Sequence, residues 1–266
     1  MLHHERFGEG PLVLLVHSGG MSGRQWRRLA ALLSPSYTVV VPDLLGSGAN
    51  PAWPGDAPFE LELDLAALTE LVDSMRAPAH VVGHSYGGLL VLKLASERPS
   101  SVRSLAVYDP VAFGVLHAHQ DAAGLGDIER VAVAKPVFLD DARGGDAEWF
   151  EAFVDYWNGP GSWRALPPAA QAAFLAVGRK VYLEVRSLLA DRTSPTDYAR
   201  IGAPTLLIGG ERSPVAARRV IALLADALPR ARTRVVAGAG HMGPISHAEE
   251  VNALVAEHIA LAETES

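Results

Sequence analysis

Short runs of apolar residues alternate along the chain with longer stretches in which apolar residues recur every three or four positions. Short runs rich in valine, leucine and isoleucine are typical of buried strands, whereas the longer spacing is typical of helices with one buried face. This alternation predicts an α/β fold with a mostly parallel central sheet and flanking helices, because parallel strands need crossover connections. The predicted strands are 12–16, 38–41, 79–82, 104–108, 205–208 and 233–236, with 2–7 as a candidate edge strand.

One helix is predicted between the second and third of these strands and another at the end of the chain. In both, apolar residues recur at steps of three and four, which places them on one helical face. The first contains Leu61, Leu65, Leu68, Val72 and Met75, and the second contains Val251, Leu254, Val255 and Ile259.

The alternation is interrupted once, after the strand at 104–108. Roughly ninety residues precede the next strand, far more than the dozen or so that a crossover requires. Residues 110–200 hold eleven of the eighteen aromatic residues, among them Trp149, Trp157 and Trp163. We therefore expect a core domain of residues 1–109 and 201–266 and an inserted helical cap of residues 110–200, whose aromatic side chains wall an apolar pocket.

Composition and charge exclude several classes of partner and of chemistry. The chain has 23 Lys and Arg against 30 Asp and Glu, a net charge of −7, which argues against a nucleic-acid partner. The absence of cysteine excludes disulfides, thiolate nucleophiles and cysteine-ligated metals. No export signal and no apolar run of membrane-spanning length is visible, so we expect a cytoplasmic protein without a membrane partner. The oligomeric state is left open.

The candidate nucleophile is Ser85. Residues 83–87 read Gly-His-Ser-Tyr-Gly, directly after the strand at 79–82 and directly before an apolar helical stretch that begins near Leu89. A strand, a sharp turn and a helix are the setting in which a Gly-x-Ser-x-Gly sequence presents a serine hydroxyl above the sheet.

A serine hydroxyl needs a nearby base, and His241 is the candidate among ten histidines. It lies in a glycine-rich loop after the last predicted strand and before the C-terminal helix, where it can reach the carboxyl edge of the sheet. His80 and His84 are expected to be packed. We expect four other histidines to be exposed to solvent: His117, His119, His247 and His258.

The loop after the first buried strand supplies candidate oxyanion donors. Residues 17–20 read His-Ser-Gly-Gly, and glycine lets backbone N–H groups turn toward the same sheet edge as Ser85. We expect the N–H groups of Gly19 and Tyr86 to form the oxyanion hole, since Tyr86 directly follows the serine and the N-terminus of the next helix adds a partial positive charge there.

Together these motifs resemble the α/β-hydrolase fold family, in its serine-nucleophile branch with a helical cap. The resemblance covers nearly the whole chain: residues 17–20 resemble the oxyanion loop, 43–48 the turn after the next strand, 83–87 the nucleophile elbow and 238–241 the histidine loop. Ser18 departs from the glycine that usually follows the histidine of the oxyanion loop.

The triad acid departs further from the family pattern. Members often carry an aspartate in a Gly-Glu-x-Asp-Pro stretch, where this chain has Ser213. A second family position for the acid lies at the end of the strand after the nucleophile helix, and there the chain has Asp109. The resemblance implies Asp109 as the acid, with Glu211 as the alternative and an acid-free dyad as a third arrangement.

The resemblance implies a serine hydrolase that cleaves a small to medium, largely uncharged ester, thioester or lactone through an acyl-enzyme on Ser85. A serine at the elbow argues against the epoxide hydrolases and haloalkane dehalogenases, which use aspartate there. Two other functions stay open on the same site: a lyase, carbon–carbon hydrolase or cofactor-free oxygenase with His241 as base, and a non-catalytic small-molecule receptor. No metal, nucleotide or organic cofactor is expected.

Overall fold

The computed structural model describes residues 1–55 and 57–265, so positions 56 and 266 of the predicted core domain lie outside the described residues. A seven-stranded sheet has the order β1-β3-β2-β4-β5-β6-β7. Its strands are β1 (His4–Phe7), β2 (Leu12–Val16), β3 (Thr38–Pro42), β4 (Ala79–His84), β5 (Val102–Tyr108), β6 (Thr205–Gly210) and β7 (Ala231–Val236). Edge strand β1 is antiparallel to β3, with His4 opposite Pro42, and every other pairing is parallel. The predicted fold class is confirmed.

Helices connect the strands. Those of the sheet domain are α1 (Arg27–Leu33), α2 (Leu61–Met75), α3 (Tyr86–Glu97), α11 (Val215–Ala227), α12 (Gly243–Ser246) and α13 (Ala248–Thr264). Between β5 and β6 lie α4 (Gly114–Ala118), α5 (Ala122–Ala134), α6 (Ala147–Asn158), α7 (Ser162–Ala165), α8 (Pro168–Ala176), α9 (Gly178–Ala190) and α10 (Pro195–Tyr198). We call residues 110–200 the inserted segment.

The five central strands β2 to β6 are buried on both faces, and their successive side chains enter two separate cores because they point to opposite sides of the sheet. In β2, Val13 and Leu15 pack into a core with α1 and α13, whereas Leu14 and Val16 pack into a core with α2, α3 and α11. The second core extends into the inserted segment through residues such as Trp149. Near-continuous apolar strands are what a sheet covered on both faces requires.

The parallel strands end at one edge of the sheet, beneath the inserted segment. The residues that follow β2, β4, β5 and β7 all lie there, and they include Gly19, Ser85, Tyr86, Asp109 and His241, whereas the alternative acid Glu211 follows β6. Among the described residues, no helix is long and apolar enough to cross a membrane.

The predicted exposure of histidines was wrong at one position. His258 on α13 is buried against the sheet, because it lies on the same helical face as Val251, Val255 and Ile259. His80 and His84 are fully buried, as predicted.

Candidate active site

Ser85 occupies a sharp turn between β4 and α3. Its backbone has φ +54° and ψ −117°, a conformation that residues other than glycine rarely adopt. The turn is held by the Ser85 N–H, which donates to the carbonyl of Tyr108 at 3.0 Å, and by the Ser85 carbonyl, which accepts from Leu89 N–H. Strain of this kind is maintained by its surroundings and is common at functional sites.

Glycine is needed on both sides of Ser85 because backbone approaches closely there. A Cβ at Gly87 would lie 2.3 Å from the carbonyl oxygen of His17, and a Cβ at Gly83 would lie 2.6 Å from that of Gly87. Both distances are too short for any side chain. The two glycines therefore let the end of β2 and the start of α3 pack against the serine turn.

Ser85, His241 and Asp109 form one hydrogen-bonded chain. Nε2 of His241 is 2.9 Å from Oγ of Ser85, and Nδ1 of His241 is 3.1 Å from Oδ2 of Asp109. All three side chains are buried, and Asp109 is fully inaccessible. An acceptor at Nδ1 selects the tautomer with its proton on that nitrogen, which leaves Nε2 free to accept the serine proton.

The loop that carries His241 is held by hydrogen bonds from the last residues of β4 and β5. The hydroxyl of Tyr108 donates to the Gly240 carbonyl at 2.7 Å, and Nε2 of His84 donates to the His241 carbonyl at 2.8 Å. Burial, reinforced by the nearby His241, lowers the pKa of His84 well below its ordinary value. His84 therefore remains a neutral donor that holds the backbone of His241.

A polar chain extends from His84 to the oxyanion loop. Nδ1 of His84 accepts from the Gln25 side-chain amide at 3.1 Å, and Oε1 of Gln25 accepts from both the backbone N–H and the hydroxyl of Ser18. The sequence did not single out Gln25, because this contact joins positions 59 residues apart. The loop after β2 and the loop after β7 are thus tied to the same histidine.

Asp109 is held in place by its own surroundings. Its N–H donates to the Ile208 carbonyl at 2.9 Å, and Oδ2 accepts from the hydroxyl of Ser213. Ser213 follows β6, whereas Asp109 follows β5, so this contact joins the ends of two neighbouring strands. Sequence reasoning marked Ser213 only as a missing acid and did not predict this contact.

The alternative acid, Glu211, lies elsewhere. Its side chain is exposed, and its Oε2 accepts from the N–H of Gly238 at 2.7 Å. The structure places Asp109, and not Glu211, at hydrogen-bonding distance from the imidazole of His241.

The predicted oxyanion donors lie side by side at the floor of the pocket. Tyr86 is the first residue of α3, and a Cβ at Gly19 would lie 3.8 Å from the Cβ of Tyr86. The same Cβ would lie 2.6 Å from Oε2 of Glu184, a carboxylate on α9 that sequence reasoning missed. Its signal was present: Glu184 lies on the same helical stripe as the buried apolar residues Val181 and Leu188.

A cavity of about 570 Å³ lies between the inserted segment and the ends of the strands. Ser85 and His241 line it, and most of its wall is apolar and comes from the inserted segment. Trp157 on α6 lies over the site, stacked on the imidazole of His241. Ser85, His241, Gly19 and Tyr86 therefore line one largely apolar pocket, and a hydroxyl next to a base in such a pocket suits nucleophilic attack on a carbonyl.

Comparisons with known proteins agree with this architecture. Residues 13–254 match the family model described as the alpha/beta hydrolase family. Lipase LipV of Mycobacterium tuberculosis is 33% identical over 201 residues, covering 68% of this chain and 73% of the lipase. The pimeloyl-[acyl-carrier protein] methyl ester esterase of Chromobacterium violaceum is 31% identical over 261 residues, covering 96% of each chain.

Solved structures show the same fold. The enol-lactonase from Burkholderia xenovorans LB400 superposes with a TM-score of 0.77 at 20% identity, covering 97% of this chain and 96% of the lactonase. The family match covers the sheet from β2 to β7 except Leu12, the inserted segment and the whole site described above, whereas β1 precedes it. The chain therefore belongs to the alpha/beta hydrolase family and is an enzyme of that family.

Proposed function

We propose that this enzyme is a serine hydrolase that cleaves an ester-like bond in a small to medium, largely uncharged substrate. The observation that carries the proposal is the distance of 2.9 Å between Ser85 Oγ and His241 Nε2, with Asp109 behind the imidazole. A serine hydroxyl in this arrangement loses its proton to the imidazole as it attacks.

In the first half of the reaction, Ser85 Oγ attacks the carbonyl carbon and its proton passes to Nε2 of His241. Asp109 accepts a hydrogen bond from Nδ1–H of His241, which fixes the tautomer and stabilises the imidazolium without protonating Asp109. The N–H groups of Gly19 and Tyr86 stabilise the negative oxygen of the tetrahedral intermediate, and the amino end of α3 adds its partial positive charge.

In the second half, the carbon–oxygen bond breaks and the leaving oxygen takes the proton from His241, so the acyl group remains on Ser85. Water then attacks the acyl carbon while His241 accepts a proton from it. Collapse of this second intermediate releases the acid and returns the proton to Ser85 Oγ.

The cavity supports the substrate class. A volume of about 570 Å³ fits a small or medium molecule, and its apolar wall favours a largely uncharged one. We propose that the inserted segment acts as a cap over residues 1–109 and 201–266, selecting the substrate and excluding water. The relatives named above as a lipase, a methyl ester esterase and an enol-lactonase are named for ester cleavage, which is consistent with this class.

The test combines active-site labelling with turnover. A fluorophosphonate should label Ser85, located by peptide mass mapping, and abolish hydrolysis of p-nitrophenyl esters of graded acyl length. Ser85→Ala should lose labelling and lower kcat by about 10⁴-fold or more. Ser96→Ala is the matched control, since Ser96 lies at the far end of the same helix and its hydroxyl donates only to the Lys93 carbonyl.

The other functions compatible with the sequence predict different results. Full turnover in Ser85→Ala would favour a lyase or oxygenase in which His241 is the base and Ser85 only orients the substrate. The absence of both labelling and Ser85-dependent turnover on every ester would favour a small-molecule receptor.

A further inference from the structure

A buried ionic cluster lies beside the proposed oxyanion hole. Nζ of Lys180 on α9 donates to Oε1 of Glu184 on the same helix and to Oδ2 of Asp64 on α2. The three side chains are at most 3% exposed. The hydroxyl of Tyr86 also donates to Asp64, at 3.1 Å, which links the cluster to the residue after Ser85.

One oxygen of this cluster lacks a partner. Asp64 accepts from Tyr86, from Lys180 and from the Leu45 N–H, so both of its oxygens are used. Glu184 Oε1 accepts from Lys180, but within residues 1–55 and 57–265 the buried Oε2 has no hydrogen-bond partner. Buried polar atoms without partners are rare and costly, so such an atom in a pocket points to a ligand group.

Glu184 belongs to the wall of the cavity in which a substrate would react. Glu184 lines the cavity that contains Ser85 and His241, and it is the only Asp, Glu, Lys or Arg among the described residues of the wall. A Cβ at Gly19 would lie 2.6 Å from Oε2, so the carboxylate touches the backbone that carries a proposed oxyanion donor. An ionised carboxylate there disfavours a developing oxyanion unless a hydrogen lies between it and the substrate.

We propose that Oε2 of Glu184 is a polar subsite that binds a hydroxyl group on the substrate, close to the carbonyl that Ser85 attacks. This inference rests on the proposed ester hydrolysis and narrows its substrate class. The substrate is then an apolar ester that carries a hydroxyl one or two carbons from its reactive carbonyl.

A hydroxyl fits better than other polar groups. Burial raises the pKa of Glu184 to about 7; the negative charge of Asp64 adds to the rise, and the ammonium of Lys180 opposes it. Lys180 stays charged, because the two carboxylates outweigh the burial that would lower its pKa. A hydroxyl can donate to the carboxylate or accept from the acid, so it pairs with either form of Glu184.

An ammonium group fits less well, since it pairs only with the ionised form of Glu184. It would also have to lose its water on entering a pocket whose wall is otherwise apolar. A methyl ether has no proton to donate and is bulkier. These two groups therefore serve as discriminating probes.

The experiment compares kcat/KM for aryl hexanoates that differ at the second or third carbon: hydroxyl, methoxyl, ammonium or hydrogen. The wild type should favour a hydroxylated ester over its methoxyl and unsubstituted analogues by about tenfold or more, because analogues leave Oε2 unpaired. Glu184→Met should bring this ratio close to one, whereas Glu184→Gln, which keeps a donor and an acceptor, should retain a preference.

The ratio separates recognition from folding, since a general loss of activity lowers all the rates together. Leu188→Met is the control, because it alters the apolar wall on the same face of α9 and should leave the ratio unchanged. An unchanged preference in Glu184→Met, equal rates in the wild type, or a preference for the ammonium ester would overturn the hydroxyl subsite.

Fluorophosphonate labelling distinguishes this failure from failure of the proposed function. Labelled Ser85 and active turnover without a hydroxyl preference overturn the subsite alone. Absence of both labelling and ester turnover overturns ester hydrolysis and the subsite with it.

Discussion

The indole of Trp157 is stacked on the imidazole of His241, with ring centroids 3.8 Å apart and ring planes inclined by 22°. Trp157 belongs to α6 of the inserted segment, whereas His241 follows the last strand of the sheet. The contact therefore makes the orientation of the proposed base depend on the segment that covers it. It also places an aromatic face against a ring that becomes positively charged during attack.

Replacement of Trp157 by Leu should slow catalysis without abolishing it. An aromatic face stabilises an adjacent cation by about 0.5–2 kcal/mol, so kcat/KM for a p-nitrophenyl ester should fall by about 2- to 30-fold. Trp157→Phe should retain most of the activity, because a phenyl face remains.

Trp163→Leu is the matched control for this prediction. Trp163 is also buried in the inserted segment, but it stacks on Phe150 and makes no ring contact with His241. If the two leucine variants lose activity equally, the effect of Trp157 comes from packing of the segment and not from the imidazole.

The acid assignment predicts opposite behaviour for two carboxylates. Asp109→Asn should lower kcat by about 10⁴-fold, because an amide at this position can favour the wrong tautomer of His241. Glu211→Gln should change kcat little, since Glu211 is exposed and its carboxylate accepts from the backbone of Gly238. Steady-state kinetics on both variants measure the two kcat values. A large loss in Glu211→Gln with little change in Asp109→Asn would assign the acid to Glu211.

Ser213 offers a test of how the displaced acid is supported. Its hydroxyl donates to Oδ2 of Asp109, the same oxygen that faces His241. Ser213→Ala removes a hydrogen bond to a buried carboxylate, which should cost about 1.5–3 kcal/mol in the free energy of unfolding measured with urea.

Activity of Ser213→Ala should fall less than that of Asp109→Asn, because the carboxylate itself remains. Ser246→Ala is the control, because it removes an exposed hydroxyl at the end of α12. This variant should leave both the stability and the activity close to those of the wild type. A stability loss no larger than that of Ser246→Ala would show that the contact with Asp109 does not hold the carboxylate.

The sequence predicted the central strands of the sheet well because they are buried on both faces and are therefore apolar runs, whereas the edge strands β1 and β7 are largely exposed. Each predicted strand matches an observed one with ends that differ by at most two residues. Parallel strands also bring their carboxyl ends together, which is why Ser85 and His241 could be predicted to converge although they are far apart in the chain, whereas Asp109 was implied by the family resemblance.

Contacts that depend on side-chain packing were not predictable in the same way. The stacking of Trp157 depends on how the inserted helices lie over the sheet, and no periodicity encodes that placement. Lys180 and Glu184 are four residues apart, a spacing that usually indicates an exposed ion pair. Only the apolar residues around them on α9 indicated that this pair is buried.

The buried histidines predict that the protein loses stability in mild acid. Burial lowers the pKa of His17, His80, His84 and His258 from the ordinary value of 6.5. The unfolded chain therefore binds more protons than the folded one as the pH falls below about 6.5, and the free energy of unfolding should decrease with it. Glu184 acts in the opposite direction, because its raised pKa makes the folded state bind the extra proton.

Urea unfolding between pH 8 and pH 5 measures the net effect of the histidines and Glu184 on the free energy of unfolding. Burial also lowers the pKa of the half-buried His117, so five histidines oppose one carboxyl group. We expect the free energy of unfolding to fall as the pH drops below 6.5, with a slope of about 1.4 kcal/mol per pH unit for each proton taken up. His80→Gln should reduce that slope, because it removes one buried group that titrates. His119→Gln, at an exposed position, should leave the slope unchanged. A free energy of unfolding that rises on acidification would mean that protonation of Glu184 outweighs the desolvation of the histidines.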